Sequence, residues 1–273
     1  DPEWKVVGLA MSRARDDLIR HDLLDAAATR GLLEQERPDV LVHAAAERRP
    51  DLCEGQPDHT KALNVTASST LCQAVRKIGG WTLFISTDYV FDGMNPPYLP
   101  GDETRPLNAY GESKLAGEEA VFSADADSAA LRVPILYGEV EELGESAVTV
   151  ILNALLDLKP AKMDHWAVRR PTLVDDVATA CLMMARRRVA GRACSGIWHF
   201  GGDEPLTKYD MAMAIAEIVG LDGTHLTPDD QHPAGAPRPR DCSFDCSAFD
   251  SLFHVDRSLF RDKIGELLRP FLR

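Results

Sequence analysis

Three apolar runs constrain this chain more than any other feature. Asp39–Ala46 (DVLVHAAA), Trp81–Ser86 (WTLFIS) and Ala129–Leu136 (AALRVPIL) are dominated by aliphatic and small residues. Runs of this kind read as strands covered on both faces, the situation of a parallel sheet. Helical stretches separate them. Ala26–Glu36 has helical composition, and from Thr60 to Ile78 apolar residues recur at Leu63, Ala67, Leu71, Val75 and Ile78, near the helical period, before Gly79-Gly80 supplies a stop. A further helix starts near Asn108, and Trp4–Ala10 reads as a short strand ending near Gly8. Strands alternating with helices predict an α/β fold with a doubly wound, Rossmann-like parallel sheet. Composition shifts after Tyr137, so residues 1–136 with about 168–200 are expected to form the sheet domain. Residues of about 137–167 with 201–273 are expected to form a smaller C-terminal lobe. Within it, Thr207 and Gly220 bracket a helix as N-cap and C-cap, and Pro233–Pro239 reads as extended loop.

The bulk numbers exclude several classes. With 273 residues and 45% hydrophobic content the chain can bury a sizeable core. A formal net charge of -13 argues against nonspecific nucleic-acid binding and against adhesion to an anionic membrane. No apolar run approaches the ~20 residues of a membrane span, and the first residues do not read as a signal peptide. The six cysteines are scattered without metal-ligand spacing, so no metal site is expected. Reduced thiols in the cytoplasm are the simplest expectation.

The chemistry is concentrated between Ser86 and Lys114. Thr87 ends an apolar strand, and Tyr110 and Lys114 stand four apart on a helix, so they share a face. A phenol has a reference pKa near ~10, and an adjacent ammonium is expected to lower it. Tyr110 would then pass a proton to a carbonyl oxygen as hydride arrives, Thr87 would hold that oxygen, and Lys114 would reach the ribose of a nicotinamide cofactor. The bland alternative is an ordinary Tyr and Lys on an amphipathic helix. Arg13 and Arg15 follow the Trp4–Ala10 strand, where basic residues accommodate the extra phosphate of NADP. A solvated basic loop is the competing account. Ala44, Ala45 and Ala46 offer a small surface for close approach of a cofactor, or serve tight strand packing.

Other residues carry weaker signals. His43 reads as a satisfied core histidine. His165, beside Asp164 and Trp166, reads equally as cleft lining or loop support. Asp175-Asp176 precedes an apolar helix and is expected to cap it rather than to catalyse.

Thr87, Tyr110 and Lys114 sit in the pattern of the extended short-chain dehydrogenase/reductases, and STDYVFDG (Ser86–Gly93) resembles their dTDP-dehydrorhamnose reductase branch. HAAAERRPD (His43–Asp51), RVPILYGEVE (Arg132–Glu141), ESAVT (Glu145–Thr149) and MDHW (Met163–Trp166) resemble more closely the regulatory beta subunits of methionine adenosyltransferase. The likeness runs from about Trp4 to Phe271. It implies NADP(H) as cofactor, the catalytic subunit of methionine adenosyltransferase as partner, and a role in S-adenosylmethionine synthesis. The reductase branch implies instead NADPH-dependent reduction of a keto sugar nucleotide. The resemblance further places Asp22 and Leu23 beside the adenine, and Pro134, Ile135 and Leu136 beside the nicotinamide. It makes Asn64 structural, and puts Arg238-Pro239-Arg240 near the substrate pocket. The Gly-rich turn that cradles the pyrophosphate has no counterpart in the sequence, which starts just before the second strand of such a sheet. The expectation is either a fragment or a protein that has lost tight dinucleotide binding, and for the fragment an exposed apolar sheet surface.

Overall fold

The computed structural model describes residues 4–12, 17–232 and 235–272. In chain order the first half contains β1 (Gly8–Ala10), β2 (Leu18–Arg20), α1 (Ala26–Glu36), β3 (Val40–His43), α2 (Pro50–Gly55), α3 (Pro57–Lys61), α4 (Ala67–Lys77), β4 (Trp81–Thr87), α5 (Ala109–Ala124) and β5 (Ala129–Val133). The second half contains β6 (Leu136–Tyr137), α6 (Ile151–Asp157), β7 (Ala161–Asp164), β8 (Thr172–Leu173), α7 (Val174–Val189), β9 (Gly196–His199), α8 (Lys208–Val219), β10 (Leu226–Asp229), α9 (Ser247–Asp250) and α10 (Phe260–Leu268).

The main sheet is parallel, in the order β3-β4-β5-β9. Val42 pairs with Leu83, Phe84 with Ala130, and Arg132 with His199. One apolar core packs on this sheet around Trp81, Leu83, Leu131, Val133, Met184 and Phe249. Each large apolar side chain buried there stabilises the fold by roughly 1.5–3 kcal/mol. A second core gathers Tyr137, Leu152, Ile215, Phe260 and Ile264 between α6, α8 and α10. Two small parallel pairs, β6 with β8 and β7 with β10, belong to this half.

β1 and β2 pair with each other, in parallel, as a separate two-stranded sheet. In a doubly wound sheet of order 3-2-1-4-5-6, the position between the second and fourth strands belongs to the first. Among the described residues no strand takes that position, between β1 and β3. β3 is consequently an edge strand, and Val42 is 43% exposed on it. Val6, Met11, Ile19 and Leu24 are exposed nearby in sequence, so the expected apolar surface is present.

Several expected elements are shorter than the pattern suggested. The strand at Trp4–Ala10 is limited to Gly8–Ala10. Pro134 ends β5 at Val133, so the run to Leu136 is split between two sheets. The Thr60–Ile78 helix contains a π turn at Ala62–Thr66. There Asn64 leaves the regular pattern to accept from the Glu47 amide at 2.8 Å and donate to the Glu47 carbonyl and to Ser113 at 2.9 Å each. Asp175 and Asp176 do not cap α7: Leu173 is its N-cap. Asp176 instead accepts from the Ser258 amide at 2.7 Å and hydroxyl at 3.1 Å, tying α7 to the C-terminal segment. Thr207 and Gly220 do cap α8, and Asp210 completes a reciprocal capping box with Thr207.

Candidate functional site

β4 delivers Thr87 to the C-terminal edge of the main sheet, where ligands of open α/β sheets bind. Its hydroxyl donates to Asp88 at 3.1 Å and accepts from the Tyr89 amide at 3.2 Å. Asn108 caps α5 through the Gly111 amide at 2.9 Å, setting the first turn that carries Tyr110. Gly111 is required there, because a Cβ would collide with the carbonyl oxygen of Tyr89. The Tyr89 and Tyr110 rings meet edge to face, with centroids 5.9 Å apart.

Lys114 lies one turn further along α5 and is only 2% exposed. Its Nζ sits 3.9 Å over the Phe84 ring. Among the described residues the ammonium has no hydrogen-bond partner. Burial pulls its pKa from 10.5 to about 7, against the opposing pull of Glu118. His43 faces the same space; burial and then the Lys114 charge lower it to about 3, and its Nε2 is 2.9 Å from Ser68 Oγ. It is a satisfied core histidine.

The expectation that Lys114 lowers the Tyr110 pKa is corrected. Burial pushes the Tyr110 phenol well above its ordinary value, and only its bond to Thr87 works the other way. Lys114 is itself largely desolvated, so its weakened hold on a proton limits what it can do for a neighbour.

The other expected cofactor residues fall as follows. Ala44 and Ala45 are exposed at the C-terminal end of β3, leaving a surface without bulky side chains. Pro134 is buried and lines the cleft; Ile135 packs on the second core and Leu136 on the first. Asp22 is exposed and accepts from the Leu24 amide at 2.9 Å, while Leu23 packs against Leu33 and Leu71. Arg13 and Arg15 lie outside the described residues, as do Pro233 and Ala234 of the expected loop. No group of three or more metal-ligating side chains occurs among the described residues.

Sequence reasoning missed the charged groups beneath and beside the site. Glu118 accepts from Arg132 at 2.9 and 2.7 Å and from the Ser86 hydroxyl, all within the interior. A lone Arg in the apolar AALRVPIL run was the available signal. Asp88 is buried, and its pKa is raised to about 6 by burial, with Arg169 opposing. A cavity of about 170 Å³ opens between the two halves, lined by Asp88, Pro134, Arg169, Arg170, Gly201 and Ser243.

Residues 47–51 are bonded to segments far along the chain. Arg48 donates to the Glu145 carbonyl. Asp51 accepts from the Ala236 amide at 2.9 Å and from Arg238 at 3.0 Å. Asn108 donates to the Pro237 carbonyl at 2.7 Å, anchoring the same loop to the start of α5.

The arrangement fits one end of a nicotinamide nucleotide. A buried ammonium without a partner, a phenol one turn away and a strand-end hydroxyl match the ribose and carbonyl oxygens it would meet. A backbone cradle for the pyrophosphate is not found among the described residues.

Comparison with known proteins agrees with this geometry. The RmlD substrate binding domain family matches residues 3–273. Methionine adenosyltransferase 2 subunit beta of Xenopus tropicalis is 45% identical over 271 residues, covering 98% of this chain and 81% of the relative. A dTDP-4-dehydrorhamnose reductase structure from Clostridium acetobutylicum aligns with a TM-score of 0.81 and 26% identity, covering 96% of this chain and 93% of that one. MoeE5 in complex with UDP-glucose and NAD aligns with a TM-score of 0.83 over 98% of this chain and 91% of that one, at 23% identity, a likeness of fold. A match of this extent and identity makes the chain a member of the methionine adenosyltransferase 2 subunit beta family, within the wider group that carries the RmlD substrate binding domain.

Proposed function

We propose that this chain is a cytoplasmic regulatory subunit of methionine adenosyltransferase, which docks on the catalytic subunit and modulates S-adenosylmethionine synthesis, with NADP(H) as its nucleotide. The observation that carries the reading is the near-full-length likeness to the beta subunits. Lys114 and Tyr110 would hold the nicotinamide ribose, Thr87 the oxygen beside it, and Ala44 and Ala45 would allow close approach. Pro134, Ile135 and Leu136 would flank the nicotinamide, Asp22 and Leu23 the adenine, and Arg13 and Arg15 the extra phosphate. When bound, the nucleotide supplies a hydride donor or acceptor beside these residues. The test is capture of the catalytic methionine adenosyltransferase on this immobilised chain, with and without NADP(H). Co-elution supports the reading. A folded chain that retains no catalytic subunit under either condition overturns it.

A second reading is favoured by one observation, the placing of Thr87 at the end of β4 and of Tyr110 and Lys114 one turn apart on α5. It makes the chain an NADPH-dependent reductase of a keto sugar nucleotide. Tyr110 would donate the proton and Thr87 would position the substrate oxygen. Its test is NADPH oxidation with keto sugar nucleotides, lost in Tyr110→Phe.

A further inference from the structure

Residues 236–240 (APRPR) form no helix or strand, yet each of them is held. The Ala236 amide and the Arg238 guanidinium donate to Asp51 at 2.9 and 3.0 Å. The Pro237 carbonyl accepts from Asn108 at 2.7 Å. The carbonyls of Pro239 and Arg240 accept from Arg169 at 3.1 and 3.4 Å, and that of Arg240 also from the Val168 amide at 2.8 Å. Pro237 and Pro239 fix their own φ and bring no N–H, so the segment is stiff and forms no ladder. Gly93 packs so closely that a Cβ there would stand 2.7 Å from the Arg240 amide nitrogen. The 239–240 end is therefore the fixed one, and movement belongs to residues 236–238. Pro237 and Arg240 remain exposed.

Asn108 is 2% exposed and uses both ends of its side-chain amide. Oδ1 accepts from the Gly111 amide at 2.9 Å and closes the first turn of α5, the turn that holds Tyr110. Nδ2 holds the Pro237 carbonyl. The reverse orientation would set oxygen against a carbonyl and N–H against N–H, so the partners fix the assignment. Both atoms belong to one planar group. A shift of Pro237 therefore either turns the group that caps α5 or leaves a buried donor unbonded, which is unfavourable.

We propose that residues 236–240 are a strap whose seating sets the position of Tyr110, with Asn108 as the positioning residue that joins the two. The seated state carries the bonds to Asp51 and Asn108, and the unseated state lacks them. Whatever fills the space beside Tyr110 is then felt at the exposed Pro237 and Arg240. Whatever grips those residues is felt at Tyr110, because coupling between two sites is reciprocal. The coupling stands on these bonds and rests on the nucleotide reading only where NADPH is the probe.

Native-state hydrogen exchange of the whole chain, read amide by amide, tests it. Arg238→Ala loosens the strap from Asp51 without altering α5 itself. It should speed exchange of the Ala236 amide and, across Asn108, of the Gly111 amide, each by about two- to tenfold, the range one net hydrogen bond allows. Asn108→Asp keeps an acceptor for Gly111 but has no donor for Pro237. In that background Arg238→Ala should no longer affect Gly111. NADPH should slow exchange of Ala236 in the parent chain and not in Asn108→Asp. Unchanged Gly111 exchange in Arg238→Ala, or the same acceleration with Asn108→Asp present, would overturn the strap. If NADPH alters no amide of the folded chain, the nucleotide reading fails, and the Arg238→Ala result still decides the coupling.

Discussion

Glu118 holds Arg132 through both carboxylate oxygens, at 2.9 and 2.7 Å, one helical turn beyond Lys114 on the same face of α5. The side chains are 3% and 2% exposed, so each ion depends on the other for its solvation. The pair lies between the sheet and α5 and ties the helix that carries Tyr110 to the strand beside β4.

Breaking that pair from one side should be costly. Glu118→Gln leaves the Arg132 guanidinium buried without its counter-charge, with an expected loss of ~3–5 kcal/mol. Arg132→Met should be comparably harmful, and Glu118→Gln combined with Arg132→Met less harmful than the two single losses added together. Urea unfolding of the four proteins checks this, and additive losses would show that the two side chains act independently.

Acid should destabilise the protein through its buried rings. His43 and His199 are both lowered from 6.5 to about 3 in the fold. Between those values the unfolded chain binds more protons, so stability rises with pH across about 3 to 6.5. Asp88, raised from 3.8 to about 6, works in the opposite direction over that range. Two rings against one carboxyl give a net rise. Lys114, lowered from 10.5 to about 7, extends the rise above neutrality. The six cysteines, all raised by burial, oppose this trend as pH approaches their ordinary value. Denaturant unfolding between pH 7 and 8, below that range, should show an upward slope that Lys114→Met flattens. An unchanged slope would remove Lys114 as its cause.

Gly111 sets the distance between α5 and the turn that follows β4. Gly111→Ala drives a methyl group into the Tyr89 carbonyl, so a loss of about 1–3 kcal/mol is expected from overpacking. Gly101→Ala, where a Cβ would meet nothing within 4 Å, should change stability little. Thermal unfolding of both separates the steric effect from the general effect of replacing glycine.

Val42 exposes an apolar side chain on an edge strand, the combination that promotes association between chains. Val42→Lys should reduce light scattering on concentration and lower binding of an apolar-surface dye, with circular dichroism unchanged. Equal scattering by both proteins would place the sticky surface elsewhere.

What could be read in the sequence was whatever is decided locally. The Ala26–Glu36 helix matches its composition, with Asp25 capping it through the Ala27 and Ala28 amides. Thr207, Gly220 and Asn108 are legible for the same reason: a cap is a bond between near neighbours in the chain. Apolar runs announced β3, β4 and β5. The three-residue strand at Leu18–Arg20 and the two-residue strand at Thr172–Leu173 were missed, because distant partners define them. The Asn64 turn depends on Glu47, which lies 17 residues away. Spacing singles out Thr87, Tyr110 and Lys114 as a set, yet the proton affinity of Tyr110 was misjudged, because spacing says nothing about how much water surrounds a phenol. Arg169 escaped notice since its partners Pro239 and Tyr89 lie about 70 to 80 residues away in the chain.

The bonds of residues 47–51 to Glu145, Ala236 and Arg238 join stretches of chain that lie far apart in sequence. Exposed side-chain pairs of this kind are individually weak. The linkage can therefore break and re-form without disturbing either apolar core.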